Sequence, residues 1–61
     1  MIEPTNVDIG DWLTVSDKDS RYNGEQGRVL AIYEDHLILE IPEENGWSIT
    51  LDFDLGQLSR A

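Results

Sequence analysis

Apolar and polar residues alternate along most of this chain in short runs with a period of two, the signature of half-buried strands. In residues 11–16, Leu13 and Val15 fall on one face, with Trp12, Thr14 and Ser16 on the other. A polar stretch, residues 17–26, follows and contains Asn23-Gly24. Residues 28–33 predict a second strand with apolar side chains on both faces, Val29, Ala31 and Tyr33 against Leu30 and Ile32. That pattern suits a strongly bent strand shared by two sheets. Glu34-Asp35 reads as a tight turn. Residues 36–41 then set Leu37, Leu39 and Ile41 against His36, Ile38 and Glu40, and Pro42, which cannot donate to a ladder, is expected to end the strand. Asn45-Gly46 supplies the positive φ angles of a hairpin turn. Residues 47–53 give the clearest alternation, with Trp47, Ile49, Leu51 and Phe53 in phase.

The last segment, residues 54–58, is too short for an α-helix and predicts a single 3₁₀ turn before a brief closing strand. Residues 1–6 carry Pro4 and no periodic pattern, so they read as a short leader, expected to be mobile, ahead of one domain over residues 7–61. Five short strands joined by tight turns must hide their edges. The economical expectation is an all-β domain, a small five-stranded SH3-like barrel with a short 3₁₀ turn before the last strand. An OB-fold is the rival, but it usually needs a longer chain and a helix, and no segment here has a helical period.

Composition tests whether such a pattern can fold. Leu, Ile, Val and Phe make up 17 of the 61 residues, about 28% and above the level of about 20% that marks disordered chains. A chain of this length hides only about 60% of its unfolded surface, so a stability of roughly 3–9 kcal/mol is expected. There is no cysteine to brace the small core. No apolar run approaches the roughly 20 residues needed to span a bilayer, and the first residues have neither the basic start nor the apolar stretch of a secretory signal. A cytoplasmic location and no membrane contact are the expectations.

Charge narrows the function classes. Thirteen Asp and Glu oppose four Lys and Arg, for a net charge of −9. Residues 1–30 carry three bases against six acids, and residues 31–61 carry one against seven. Binding to a phosphate backbone draws its affinity from cations that release counterions, and this balance opposes it.

Gly10-Asp11 leading into a strand, then Tyr22-Asn23-Gly24-Glu25-Gln26-Gly27-Arg28-Val29 with Ile32 beyond, resembles the KOW motif. That motif occurs in SH3-like barrels of ribosomal proteins and of NusG-type transcription factors. The resemblance covers residues 10–32 and implies an SH3-like barrel that binds RNA, DNA or protein, often beside its first loop. It also implies a turn role for Gly24 and Gly27, which would let the chain turn sharply and re-enter the sheet at Val29. Gly46 is expected to serve the later hairpin turn. KOW domains that touch nucleic acid usually have basic loops, whereas here Lys18, Arg21 and Arg28 are the only bases near the motif.

The candidate contact residues are therefore aromatic and acidic. Trp12 is out of phase with Leu13 and Val15, so it reads either as an interface anchor or as a cover over one end of the barrel. Tyr22 sits in the first loop beside Asp17 and Asp19, and Tyr33 and Ile38 would extend the patch unless barrel curvature buries them. Trp47, in phase with its strand, is expected in the core. Asp17 to Gly24 invites comparison with a calcium loop, but the fifth and twelfth positions hold Arg21 and Arg28 where oxygen ligands are needed. His36, the single histidine, has no companion nitrogen or sulfur ligands and is expected to be exposed and inert. No nucleophile elbow accompanies any serine. The sequence thus predicts no metal, no cofactor and no catalysis.

The resulting expectation is a non-enzymatic protein-binding module, monomeric when free. It would bind a partner with a basic surface through Trp12, Asp17, Asp19, Tyr22 and Tyr33, as an accessory to larger machinery such as that of transcription or translation. Three alternatives stand beside it: a KOW domain binding nucleic acid through Lys18, Arg21 and Arg28; an inhibitor that mimics the charge of DNA; and a small structural subunit of a multiprotein complex.

Overall fold

Period-two patterning is realised as five antiparallel strands in one sheet, in a computed structural model that describes residues 6–60. The strands are β1 (Trp12–Val15), β2 (Gln26–Ile32), β3 (His36–Pro42), β4 (Ser48–Asp54) and β5 (Leu58–Arg60), in the spatial order β4-β3-β2-β1-β5. The fold is all-β, and no helix among the described residues is long and apolar enough to cross a membrane. The leader expected over residues 1–6 lies outside the described residues except for Asn6.

Among the described residues, hydrogen bonds do not close the sheet into a ring, because β4 and β5 are its two edges. The chain nevertheless passes from one edge to the other through a single 3₁₀ turn, Leu55–Gln57. Four strand spacings across a flat sheet would separate those edges by about 19 Å, whereas three residues of 3₁₀ helix advance only about 6 Å. The sheet must therefore curl strongly, and its concave face holds the core: Val7, Leu13, Val15, Val29, Leu37, Leu39, Ile41, Phe53 and Leu58.

The apolar residues on both faces of β2 have a different cause from the one expected. The register runs Val29↔Leu39 and then Ala31↔Ile38, so Leu30 is an extra residue in a β-bulge. A bulge flips the phase of all that follows it. Val29 before it and Ile32 after it both meet the core, while Leu30 stays exposed and Ala31 lies opposite Ile38. One strand of one sheet, kinked once, replaces the predicted strand shared between two sheets.

β3 runs through Pro42 instead of stopping before it. The N–H of Glu43 donates to the carbonyl of Trp47 at 2.7 Å, so the neighbouring pair Pro42↔Ser48 is a non-hydrogen-bonded one. The missing N–H of Pro42 therefore costs this ladder nothing. Asn45 (φ 66°) and Gly46 (φ 80°) make the turn of that hairpin with the positive angles expected of them.

Gly24 (φ 90°) lies in a turn whose N–H donates to the Val15 carbonyl at 2.8 Å. Gly27 does not turn the chain. It lies buried inside β2 opposite Leu13, where a Cβ would stand 3.1 Å from both Leu39 Cβ and Ile41 Cγ1 and 3.2 Å from the Glu40 carbonyl oxygen. Its role is to admit β3 at close range.

Candidate protein-contact surface

The convex face of the sheet carries the first candidate. Trp12 on β1 pairs directly with Arg28 on β2, which pairs with Glu40 on β3, which pairs with Thr50 on β4, one row across four strands. Val29 exchanges hydrogen bonds with the Gly10-Asp11 backbone, so Trp12 and Arg28 form a non-hydrogen-bonded pair, the kind that brings side chains closest. Trp12, at the β1–β2 seam, is 49% exposed and lies outside the core; Ile9, ahead of β1, and Leu30, at the β2 bulge, are also exposed large apolar residues. Arg28 reaches Glu40 at 3.8 Å, and the Ser48 hydroxyl donates to the other Glu40 oxygen at 3.3 Å. The row thus has an aromatic end and a polar centre in which the cation is already matched by a carboxylate.

Tyr33 is also 49% exposed, immediately beyond β2. Its N–H donates to the His36 carbonyl at 2.9 Å across the Glu34-Asp35 turn, and its ring stacks on the His36 imidazole with centroids 4.7 Å apart. His36 Nδ1 lies 2.7 Å from Asp35 Oδ1, and this hydrogen bond holds the Asp35 carboxyl below its ordinary value. His36, expected to be exposed and inert, is instead half-buried and fixes both neighbours. Tyr33 is in this way a pre-set aromatic platform beside a carboxylate.

The first loop, residues 16–25, differs from its expected role. Asp17 Oδ2 accepts from the Gln57 side-chain amide at 2.7 Å, and Oδ1 accepts from the Asp19 N–H at 3.0 Å. The Gln57 bond first, then the Asp19 bond, lower the Asp17 pKa. Gln57 also accepts the Ser16 N–H on its carbonyl at 2.7 Å and the Asp54 N–H on its side-chain oxygen at 2.9 Å. Both carboxylate oxygens of Asp17 are thus committed to holding the loop against the Leu55–Gln57 turn. Tyr22 is half-buried and packs on the core, with the Arg21 guanidinium 5.4 Å from its ring centre. Asp19 and Lys18 are exposed.

The five expected contact residues therefore do not form one patch. Trp12 is on the convex face, Tyr33 lies at the far end of β2 from the first loop, and Asp17 and Tyr22 are tied inward. Of the three expected cationic contacts, Arg28 faces Glu40, Arg21 lies over Tyr22 and Lys18 is exposed. Arg60, the remaining base, is 3.6 Å from Asp11 and also bonds the Asn6 carbonyl.

Two residues escaped the sequence reading. Gln57 organises the loop from forty positions away, which no local pattern records. Trp47, expected in the core, is 75% exposed at the tip of the β3–β4 hairpin. The described residues enclose no cavity, and no group of three or more His, Asp or Glu side chains among them could hold a metal ion. No known family model matches the chain, and no curated protein is significantly similar to it.

Proposed function

We propose that this chain is a non-enzymatic, acidic protein-binding module that docks on a basic surface of a partner through Trp12 and the β1–β2 seam. The observation that carries this reading is Trp12 itself, half-exposed at the β1–β2 seam on a domain of net charge −9. Trp is enriched among the energetic anchors of protein interfaces, and a surrounding charge of one sign steers the complementary partner. The KOW-like motif of residues 10–32 points the same way, toward an accessory role beside transcription or translation machinery, where basic surfaces abound. Pairing of Arg28 with Glu40 favours a protein over a nucleic acid as the ligand.

The test is affinity capture from the native cell followed by titration of the purified partner. Trp12→Ala should weaken binding at least tenfold, and raising salt should slow association. Asp19→Asn should weaken it slightly. If Trp12→Ala binds like the wild type, the surface is wrong. If fluorescence anisotropy instead shows saturable binding of an oligonucleotide that Arg28→Ala abolishes, the module reads nucleic acid.

A further inference from the structure

The bond from the Glu43 N–H to the Trp47 carbonyl fixes which way each backbone group of β4 points. Alternation from Trp47 turns the N–H and C=O of Ile49, Leu51 and Phe53 toward β3, and those of Ser48, Thr50, Asp52 and Asp54 away from it. The outward N–H of Asp54 is taken by the Gln57 side chain at 2.9 Å. The outward backbone groups of Ser48, Thr50 and Asp52 have no hydrogen-bond partner among the described residues. β4 is paired without a bulge along its length and contains no proline, so it lacks two of the devices that usually blunt an edge strand.

The side chains along this edge grade in the same direction. Phe53 is 4% exposed, Leu51 and Ile49 are half-buried, and Trp47 is 75% exposed, all four in one phase. The apolar face of β4 thus emerges progressively from the core toward the hairpin tip. Around it, Glu40, Glu43, Glu44, Asp52 and Asp54 stand without a single Lys or Arg between residues 29 and 59. Glu40 is engaged by Arg28 and Ser48, and the Asp54 carboxylate caps the Leu55–Gln57 turn. An added strand here would therefore gain backbone hydrogen bonds, an apolar stripe and the carboxylates of Glu43, Glu44 and Asp52.

We propose that the open edge of β4 accepts an extended basic segment of another protein as an added strand, with Trp47, Ile49 and Leu51 receiving its apolar side chains. Its alternate Lys or Arg side chains meet Asp52, Glu43 and Glu44. Strand addition takes its affinity from main-chain hydrogen bonds and its specificity from alternate side chains, and both are laid out here. A second copy of this chain is the poorer occupant, since each copy carries −9 and its edge is acidic. This surface is separate from the Trp12 seam and stands whether or not that seam binds.

The probe is a capped octapeptide of alternating Lys and Val, with a Glu and Val octapeptide as control, followed by amide NMR and hydrogen exchange on the full chain. Saturable binding of the basic peptide is expected, with slowed exchange at Ser48, Thr50 and Asp52. Thr50→Pro removes one outward N–H without touching the β3–β4 ladder and should weaken binding at least tenfold. Should that variant fail to fold, Asp52→Lys reverses the charge at the same edge and should weaken it to a similar degree. Trp47→Ala should weaken it several-fold, and Trp12→Ala should leave it unchanged. Equal binding of the acidic peptide, shifts confined to the Trp12 seam, or indifference to both Thr50→Pro and Asp52→Lys would overturn the proposal. So would concentration-dependent dimerisation through the same amides in sedimentation.

Discussion

The first loop and the β3–β4 hairpin invert each other. The loop, residues 16–25, is polar and glycine-containing, the composition of a free surface segment, yet Gln57 holds its base and Tyr22 packs on the core. The hairpin's return strand has the most regular apolar alternation in the chain, the pattern of a core element, yet its backbone edge is open and Trp47 projects from its tip. Local pattern reports which side chains share a face. Whether that face is covered depends on what else packs there, and in a curled five-stranded sheet the edge strands are covered last.

Substitutions along β4 give the sharpest break in this comparison. Phe53→Ala empties a buried site and should cost about 3–5 kcal/mol, enough to unfold much of a domain this small. Ile49→Ala, on the same face but half-buried, should cost about 1–2 kcal/mol because part of its surface is already wet. Urea denaturation measures both. Equal losses at the two positions would mean that β4 is covered along its whole length.

Gly27 lies where the two regions meet, one residue into β2 and under Leu39 and Ile41 of the hairpin. Gly27→Ala should cost about 1–3 kcal/mol by overpacking, since both neighbours at 3.1 Å are fixed in the core. A thermal melt close to that of the wild type would show that β3 can retreat at no cost, and would return Gly27 to the turn role its motif suggested.

These contrasts mark how far the sequence can be read. Strand existence was legible because period two survives in every strand except β2. There the bulge at Leu30 replaces one phase with another, and apolar residues on both faces are its trace. The hairpin turn was legible because Asn45-Gly46 is a local requirement for positive φ. Gly27 was misassigned because a glycine in sequence does not say whether the backbone needs an unusual angle or a neighbour needs the space. Asp17 and Gln57 were illegible as a pair, since a hydrogen bond across forty residues leaves no periodic signal. Trp12 was placed outside the core by phase alone, and that phase holds. For Trp47 phase failed, because alternation fixes a direction and not the presence of a covering layer.

Loosening the first loop should have a smaller effect than Phe53→Ala or Gly27→Ala. Gln57→Ala removes side-chain bonds to Asp17 and to the Asp54 N–H and should cost about 1 kcal/mol. Its effect on pH dependence is more telling. The folded pKa of Asp17 lies below its ordinary value of 3.8, so its stabilisation is present above that value and is lost as pH falls through the folded pKa. Asp35, lowered by His36, adds to the same acid limb. In Gln57→Ala the Asp17 titration, followed by NMR, should move up toward 3.8 while that of Asp35 stays in place. Coincident movement of both would mean that the loop and the Tyr33 turn are coupled and not independent.

The smallest expected effect belongs to Trp47→Ala. A side chain 75% exposed at a hairpin tip contributes little to the core, and its removal should change stability by no more than about 0.5 kcal/mol. That near-silence is informative because Trp is a costly residue to leave in water. Tryptophan fluorescence should confirm it from the other side: Trp12→Phe, which leaves Trp47 as the sole indole, should give a red-shifted, readily quenched emission. Destabilisation beyond about 1 kcal/mol would place Trp47 back over Ile49 in the free protein and close the edge. A silent substitution instead assigns the indole no structural work in the isolated domain, and leaves contact with another chain as the reason for an aromatic at the mouth of an open strand.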